Sequence, residues 1–406
     1  MADLARRPRV LHIATSQNDG GIERYSVRLA AGLAENGVWV DFACLPGAIV
    51  ERLCRASGVR TLPLAVRNSG DVQAVRQIAA YIKHQAVDIV HVHSRRDYLP
   101  ALLGAALARK QTAKSQEWPK LVLHSHLIRP LGTPPALSSR VFARGVDRVL
   151  AVSQAVQEAL NEWHHFPLGL VQTLHNGVDL ESFCLPTSPT ARVWRAERRA
   201  EWELNADALV LTMVGRLDAK GQEQMLAALP RLLRRVPQLR VVLAGSEGAP
   251  GTRDALAALA RTGGVAEQVV FAGPREDIPQ VLAASDIVAH LPAEEAFGLA
   301  LAEGMAAGLP TIASDTGGCR DVVQDGATGL LVPPGDKQAL TQAMLSLLEG
   351  SQGVERRRRM GEAGRARAEQ QFSLARQIVR LEEIYQELCP NLESKAALAS
   401  SLLSPS

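Results

Sequence analysis

The sequence predicts an α/β protein of two successive parallel-sheet domains, and three observations carry that expectation. At 406 residues the chain exceeds what one ordinary hydrophobic core organises, which points to two domains of roughly 200 residues each. Aromatic residues make up only 4% while Ala, Leu, Val and Gly dominate, a composition better suited to helices packed on sheets than to aromatic-rich sandwiches. Short β-rich runs alternate with stretches of helical pattern, as βαβ units require.

In the first half the β-rich runs are RVLHIAT (9–15), WVDFACL (39–45), DIVHVHS (88–94), KLVLHSH (120–126), RVLAVS (148–153) and VQTLHNGV (171–178). The pattern restarts after residue 205 with ALVLTMVGRL, RVVLAGS, QVVFAGP, DIVAHLP, PTIAS and GLLVPPGD. Between the halves, residues 184–208 hold a Pro/Ser/Thr segment and then a charged helical run, read as a linker with an opening helix. The boundary is set at 185, giving domains 1–185 and 186–370. Residues 355–390 read as one or two amphipathic helices, and the four arginines 356–359 as a solvated helix face. Residues 391–406 are expected to be a disordered tail.

Five cysteines, Cys44, Cys54, Cys184, Cys319 and Cys389, show no CxxC spacing, so neither a disulfide framework nor a zinc ribbon is indicated and a reducing, cytoplasmic setting is expected. No run of about 18 apolar residues suggests a membrane span or a secretory signal. The net charge of +3 divides unevenly: residues 1–185 carry 21 Lys/Arg against 15 Asp/Glu, and 186–406 carry 24 against 27. The basic first half suits an anionic membrane surface, with an ordinary solvated face as the alternative. Nothing indicates nucleic-acid binding.

Three loops carry the chemistry. After the first strand, Gly20 and Gly21 end a strand-to-helix loop, and a helix start there directs free N–H groups at an anion. The G-x-G-x-x-G spacing of a nicotinamide site is absent, and so is any P-loop. In VGRLDAKGQEQML, Arg216 and Lys220 follow a strand and precede a helix, a pair of cations suited to a diphosphate. In AEEAFGLALAEGMAAGLPTIASDTGG (293–318), a helix over 298–307 leaves Gly298 and Leu299 with free N–H groups at its positive end. Glu295 then precedes that helix and Glu303 lies deeper, about 12 Å apart if the spacing were fully helical. Carboxylates so separated suit the two ends of an elongated ligand with vicinal hydroxyls, such as a nucleotide-sugar.

The spacing E-x-F-G-x-x-x-x-E, formed by Glu295, Phe297, Gly298 and Glu303, resembles the most specific mark of the retaining glycosyltransferases of family 4. GGIERYSVRLAAGL, DIVHVHS, VLAVSQAV, HNGVDLESF and GLPTIASDTGG extend the resemblance over nearly the whole chain. It implies a GT-B fold, two Rossmann-like domains facing a central cleft, with acceptor on the first and donor on the second. It also implies that the final helix, 371–390, joins the first domain. By the same resemblance Arg216 and Lys220 bind the donor diphosphate and Glu303 the ribose hydroxyls. Glu295 holds the transferred sugar with the backbone of Phe297, Gly298 and Leu299. Gly20 and Gly21 border the reacting centre, and His126 is the active-site histidine, with His124 as the alternative register. Two departures from the pattern stand out: the stretch from Gly215 to Lys220 is one residue short, and Asp321 replaces a glutamate. The implied reaction is front-face retaining transfer in which the donor phosphate helps deprotonate the acceptor hydroxyl, with no cofactor and no metal.

Other readings stay open. His91 and His93, with His124 and His126, lie at i and i+2 on strand ends and could together hold zinc. His164, His165 and His175 read as ordinary polar or helix-end residues. A nucleotide-sugar 2-epimerase, or an inactive subunit of a polysaccharide assembly complex, shares the layout. The expected partners are a nucleotide-sugar donor and a glycan or lipid-linked acceptor of the cell envelope, such as lipopolysaccharide or another surface polysaccharide.

Overall fold

A computed structural model describes residues 7–110, 119–128, 144–164, 166–167 and 169–390. The chain divides into two compact units, Met1–Gly177 with Leu374–Ser406, and Val178–Ser373. The expected tail, 391–406, and His165 lie outside the described residues.

The first unit is built on seven strands: β1 (Arg9–Ala14), β2 (Trp39–Cys44), β3 (Arg60–Pro63), β4 (Ile89–Val92), β5 (Lys120–Ser125), β6 (Arg148–Ala151) and β7 (Val171–Thr173). They pair in parallel in the order β3-β2-β1-β4-β5-β6-β7. Six were legible as apolar runs. The seventh, β3, has only four residues and no fully buried position, so it carries no run to read. The strand order reverses between β1 and β4, where Val10 lies between Val40 and Ile89. That reversal opens a crevice at the carboxyl ends of the two strands, where open α/β sheets take their ligands. The helix Leu374–Leu388 completes this unit: Ile378, Leu381, Ile384 and Tyr385 enter the same core as Leu29 and Leu33 of the helix Gly21–Glu35.

The second unit holds β8 (Leu209–Val214), β9 (Leu239–Ala244), β10 (Val269–Gly273), β11 (Ile287–His290), β12 (Thr311–Ser314) and β13 (Gly329–Val332) in the parallel order β10-β9-β8-β11-β12-β13. Its reversal falls between β8 and β11. The opening helix Pro189–Glu201 starts where the sequence placed it, because the Ser188 hydroxyl accepts from the Ala191 N–H and Pro189 fits the first helical position. Near the end, Gly350–Gln371 and Leu374–Leu388 are separate helices. In the four-arginine run Arg358 pairs with Glu355 and Glu362 along its own helix, as a solvated face does, whereas Arg357 is partly buried and donates to the Leu347 carbonyl.

Candidate functional site

At the reversal of the second sheet, two loops are locked together by backbone geometry. Gly221, with φ at +77°, ends the loop after β8 and starts the helix Gln222–Leu233. A Cβ at Gly221 would come within 2.1 Å of the Leu291 carbonyl oxygen, so only glycine lets this loop approach the end of β11. The Leu291 N–H in turn donates to the Lys220 carbonyl at 2.9 Å. Gln222 pins the loop from within, accepting from the Lys220 N–H at 3.0 Å and donating to the Arg216 carbonyl at 2.9 Å.

This framework delivers Lys220 to Glu295, Nζ to Oε2 at 2.6 Å. The short loop therefore does not keep the lysine from the site; its stem lies over Gly215, whose Cβ would be 3.1 Å from Lys220 Cγ. Glu295 Oε2 also meets His290 Nε2 at 2.6 Å, and Oε1 accepts from the Ala296 N–H at 3.0 Å. Burial of the Glu295 carboxyl opposes ionisation, but the His290 hydrogen bond and the charge and hydrogen bond of Lys220 overcome it and hold the group well below the usual carboxylate range. Burial pushes His290 down despite Glu295, so a neutral imidazole donates from Nε2 to the carboxylate. Lys220, read for the diphosphate, and Glu295, read for the sugar, thus share one ion pair. His290, which closes β11, was missed; its signal was a polar residue at the carboxyl end of a strand beside the reversal.

The helix read over 298–307 spans Leu299–Ala306, with Gly298 at its N-cap in a left-handed conformation, φ +91°. Glu303 lies on its second turn and is buried. The Phe297 side chain is buried edge-on against Phe372, centroids 5.6 Å apart, which leaves its backbone as the group it offers. Gly318 lets the loop sit close, since a Cβ there would meet the Ala296 carbonyl oxygen at 2.2 Å, and its N–H donates to the Glu295 carbonyl. Arg216 is more than half exposed, with only Asp218 at 3.5 Å, and its guanidinium is open to an anion.

In the first unit, Gly20 is the N-cap of the helix Gly21–Glu35. His126 follows β5 and lines a cavity of about 350 Å³ together with His93, whereas His124, fully buried, does not line it. Of the two histidines left open by the sequence, His126 is therefore the one at the cavity. The four histidines read as pairs are five, for His12 of β1 joins them. One chain runs from His12 Nδ1 to His93 Nε2 at 2.9 Å and from His93 Nδ1 to His126 Nε2 at 3.3 Å. A second runs from Tyr385 Oη to His91 Nδ1 at 2.6 Å and from His91 Nε2 to His124 Nδ1 at 3.2 Å. Burial pushes His12 and His126 down to about 3, and burial with mutual repulsion takes His91, His93 and His124 well below their ordinary value. All five imidazoles are neutral at pH 7. Nitrogens of His12, His91 and His93, and of His93, His124 and His126, approach within 4.8 Å of one another, so either trio could ligate a zinc-type ion. Among the described residues no carboxylate joins either trio.

Residues 195–367 match the family model of the glycosyl transferases group 1, and residues 19–182 match that of glycosyltransferase family 4. The chain is 26% identical over 323 residues to the N-acetyl-alpha-D-glucosaminyl L-malate synthase of Bacillus anthracis, covering 78% of this chain and 79% of that protein. It is 33% identical over 231 residues to the D-inositol 3-phosphate glycosyltransferase of Mycobacterium sp. (strain KMS), covering 55% of this chain and 50% of that one; the match thus spans about half of that relative's length. Among solved structures, Anabaena Alr3699/HepE in complex with UDP and glucose superposes with a TM-score of 0.80 at 22% identity, covering 94% of this chain and all of that one. WaaG, a glycosyltransferase involved in lipopolysaccharide biosynthesis, superposes with a TM-score of 0.69 at 18% identity, covering 93% and 99%. At these identities the likeness is one of fold, the GT-B fold of glycosyltransferases.

Proposed function

Since the chain belongs to the glycosyl transferases of group 1, glycosyltransferase family 4, we propose that it moves a sugar from a nucleoside-diphosphate donor to an acceptor hydroxyl with retention at the anomeric carbon. The observation that carries the donor half is the convergence of Lys220, His290 and Glu295 beside the helix start at Gly298. Cations and free N–H groups for a diphosphate lie next to a fixed carboxylate for sugar hydroxyls. Arg216 and Lys220 neutralise the charge that develops on the leaving diphosphate, and the first N–H groups of the helix Leu299–Ala306 add to it. Glu303 takes the ribose hydroxyls. These cationic groups occupy the role a metal plays elsewhere.

In the reaction, the bond from the anomeric carbon to the diphosphate oxygen breaks while the acceptor oxygen bonds to the same face. The acceptor proton passes to the leaving phosphate oxygen. No protein nucleophile takes part. His290 keeps Glu295 ionised and aimed, so that the sugar meets an acceptor of hydrogen bonds already in place.

The acceptor binds in the cavity of the first unit, where His126 offers a neutral imidazole. A cell-envelope glycan or lipid-linked acceptor is supported by the net +6 of residues 1–185 and by the fold likeness to a protein of lipopolysaccharide biosynthesis. Among the described residues no helix is long and apolar enough to cross a membrane. Purified protein is screened by thermal shift against nucleotide-sugars, since bound donor raises stability with affinity, and then assayed for transfer with Glu295→Ala as control. Transfer unchanged by Glu295→Ala ends the site assignment. Conversion of the donor sugar with no acceptor present instead indicates epimerisation.

A further inference from the structure

The cavity of the first unit contains a carboxylate that the donor site does not use. Glu23, in the first turn of the helix Gly21–Glu35, lines the cavity beside His93 and His126 and is 7% exposed. Among the described residues its carboxylate has no hydrogen-bond or ion-pair partner; only its carbonyl is engaged, by the Ser26 hydroxyl. The other carboxylates buried to this degree, Asp41, Asp71, Asp97, Glu303 and Glu382, all have partners. Its oxygens are not among the buried side-chain atoms left without a partner, so they face the cavity, where they can accept hydrogen bonds from whatever fills it. Gly20 makes room for it, because a Cβ there would stand 2.9 Å from Glu23 Oε2.

At another part of the same lining are two cations. Arg95 and Arg96 lie on the short helical turn Arg95–Asp97 that follows β4, and both are exposed. Neither guanidinium has an ion-pair or hydrogen-bond partner among the described residues. Their placement is fixed by their neighbour: the buried Asp97 accepts from the Thr15 N–H at 2.8 Å and from the Thr15 hydroxyl, tying the turn to the end of β1. Hydroxyl and amide side chains of Ser16, Gln17 and Asn18 lie in the lining, and Leu160 and Phe166 supply an apolar wall.

A carboxylate, a neutral imidazole, an apolar wall and a pair of free arginines describe one ligand. We propose that this cavity takes an acceptor whose reacting part is a polyhydroxylated ring and which carries a phosphate. Glu23 accepts hydrogen bonds from ring hydroxyls, and Arg95 with Arg96 holds the phosphate. The ring lies along Phe166, as sugar faces do on aromatic surfaces. The assignment rests on the glycosyl-transfer reading and narrows its acceptor. The phosphate could belong to a free sugar phosphate or to a lipid-linked sugar, and the recognition chemistry is shared.

The test is equilibrium binding to the purified full chain of a panel of aldose 1-phosphates, the same aldoses without phosphate, inorganic phosphate, and aldoses on a short-chain polyprenyl diphosphate. We expect at least one phosphorylated aldose to bind about tenfold or more tightly than its free aldose. Arg95→Gln with Arg96→Gln should remove that preference, and Glu23→Gln should weaken both sugar forms about tenfold while leaving inorganic phosphate unaffected. Tighter binding of the polyprenyl compounds than of the free phosphates identifies a lipid source, and the reverse a soluble one. A panel in which nothing binds, in which free aldoses bind as well as phosphorylated ones, or in which the double variant keeps the preference overturns the assignment. UDP binding is measured in parallel for every variant: its retention shows that the variants fold, and its absence in the unsubstituted chain would instead count against the glycosyl-transfer reading itself.

Discussion

The ion pair between Lys220 and Glu295 should be the strongest pairwise contribution to the geometry of the donor site, and a double-mutant cycle measures it. At 2.6 Å, Coulomb attraction at an effective dielectric of ~20 is about 6 kcal/mol. Against this stands burial of the Glu295 carboxyl, the largest influence on that group. The side chains are 24% and 13% exposed, between surface pairs worth about 0–1 kcal/mol and buried pairs whose breaking costs about 3–5 kcal/mol. A coupling of about 2 kcal/mol follows. Glu295→Gln, Lys220→Met and the double variant are compared at pH 7 by calorimetry, which separates the transition of the second unit. Each kcal/mol should lower the midpoint of a unit of roughly 200 residues by about 2–4 °C, so Glu295→Gln should lose about 4–8 °C. Because the folded carboxyl is held below its ordinary value, its contribution is complete above about pH 4.5 and declines as the pH falls below that toward the folded value. Additivity of the two single variants within about 0.5 kcal/mol at pH 7 would refute the claim that the pair organises the site.

Three further outcomes follow from the same geometry. Gly221→Ala, at φ +77° and with a Cβ 2.1 Å from the Leu291 carbonyl, should destabilise the second unit by about 3 kcal/mol or more and abolish binding of whichever nucleotide-sugar the thermal-shift screen finds, whereas Gly326→Ala, at φ +74° in open space, should cost only about 1 kcal/mol and keep it; equal losses in thermal unfolding would contradict the close approach. In the chain His12–His93–His126 three neutral rings hold three N–H groups for two hydrogen bonds, and the end nitrogens, His12 Nε2 and His126 Nδ1, are both buried without a partner. The two bonds can form together only if all three rings share one tautomer, all Nδ1–H or all Nε2–H, and ¹⁵N spectra that show mixed tautomers would remove the relay. Burial raises Asp97 to about 6, above its unfolded value of 3.8, so its contribution is largest below about pH 4 and is lost as the pH rises through 6. Asp97→Asn should flatten that part of the pH–stability curve, which amounts to about 2–3 kcal/mol, and a curve unchanged by the substitution would place the titration elsewhere.

The fold was legible because parallel strands buried on both faces write themselves as unbroken apolar runs. Most strands of both sheets show this; β7, Val-Gln-Thr with one buried residue, and β10, at intermediate exposure throughout, show it only in part, and β3 escaped because four edge residues at intermediate or full exposure leave no such mark. The candidate loops of the second sheet stand out for a different reason. Gly221 and Gly318 are demanded by close approach to the Leu291 and Ala296 carbonyls, and Gly215 and Gly298 hold φ of +132° and +91°, so glycines beside Lys220 and Glu295 mark these loops in the sequence.

The first-unit site was not legible in the same way, because its parts come from separate strand ends and meet only through the sheet. His12, Glu23 and Arg95 come from the first strand, the helix after it and the turn after the fourth strand; nothing in their sequence spacing marks them as neighbours. Each is ordinary alone. RVLHIA reads as a strand with one odd histidine, and Glu23 as an acid in the first turn of a helix, where acids are favoured anyway. What brings them together is the fold: Glu23 and Arg95 line one cavity, and His12 reaches it through His93. A histidine in a strand costs little to bury when neutral, and the ladder pairs the rings with one another while the outer nitrogens of His12, His124 and His126 stay buried without a partner. They therefore turn inward to each other, and Glu23 turns to the cavity. The carboxylate of Glu23 therefore bears more directly than the histidines on what the cavity receives, because it lines the cavity with no partner among the described residues, whereas Glu295 of the second unit is already held by Lys220 and His290.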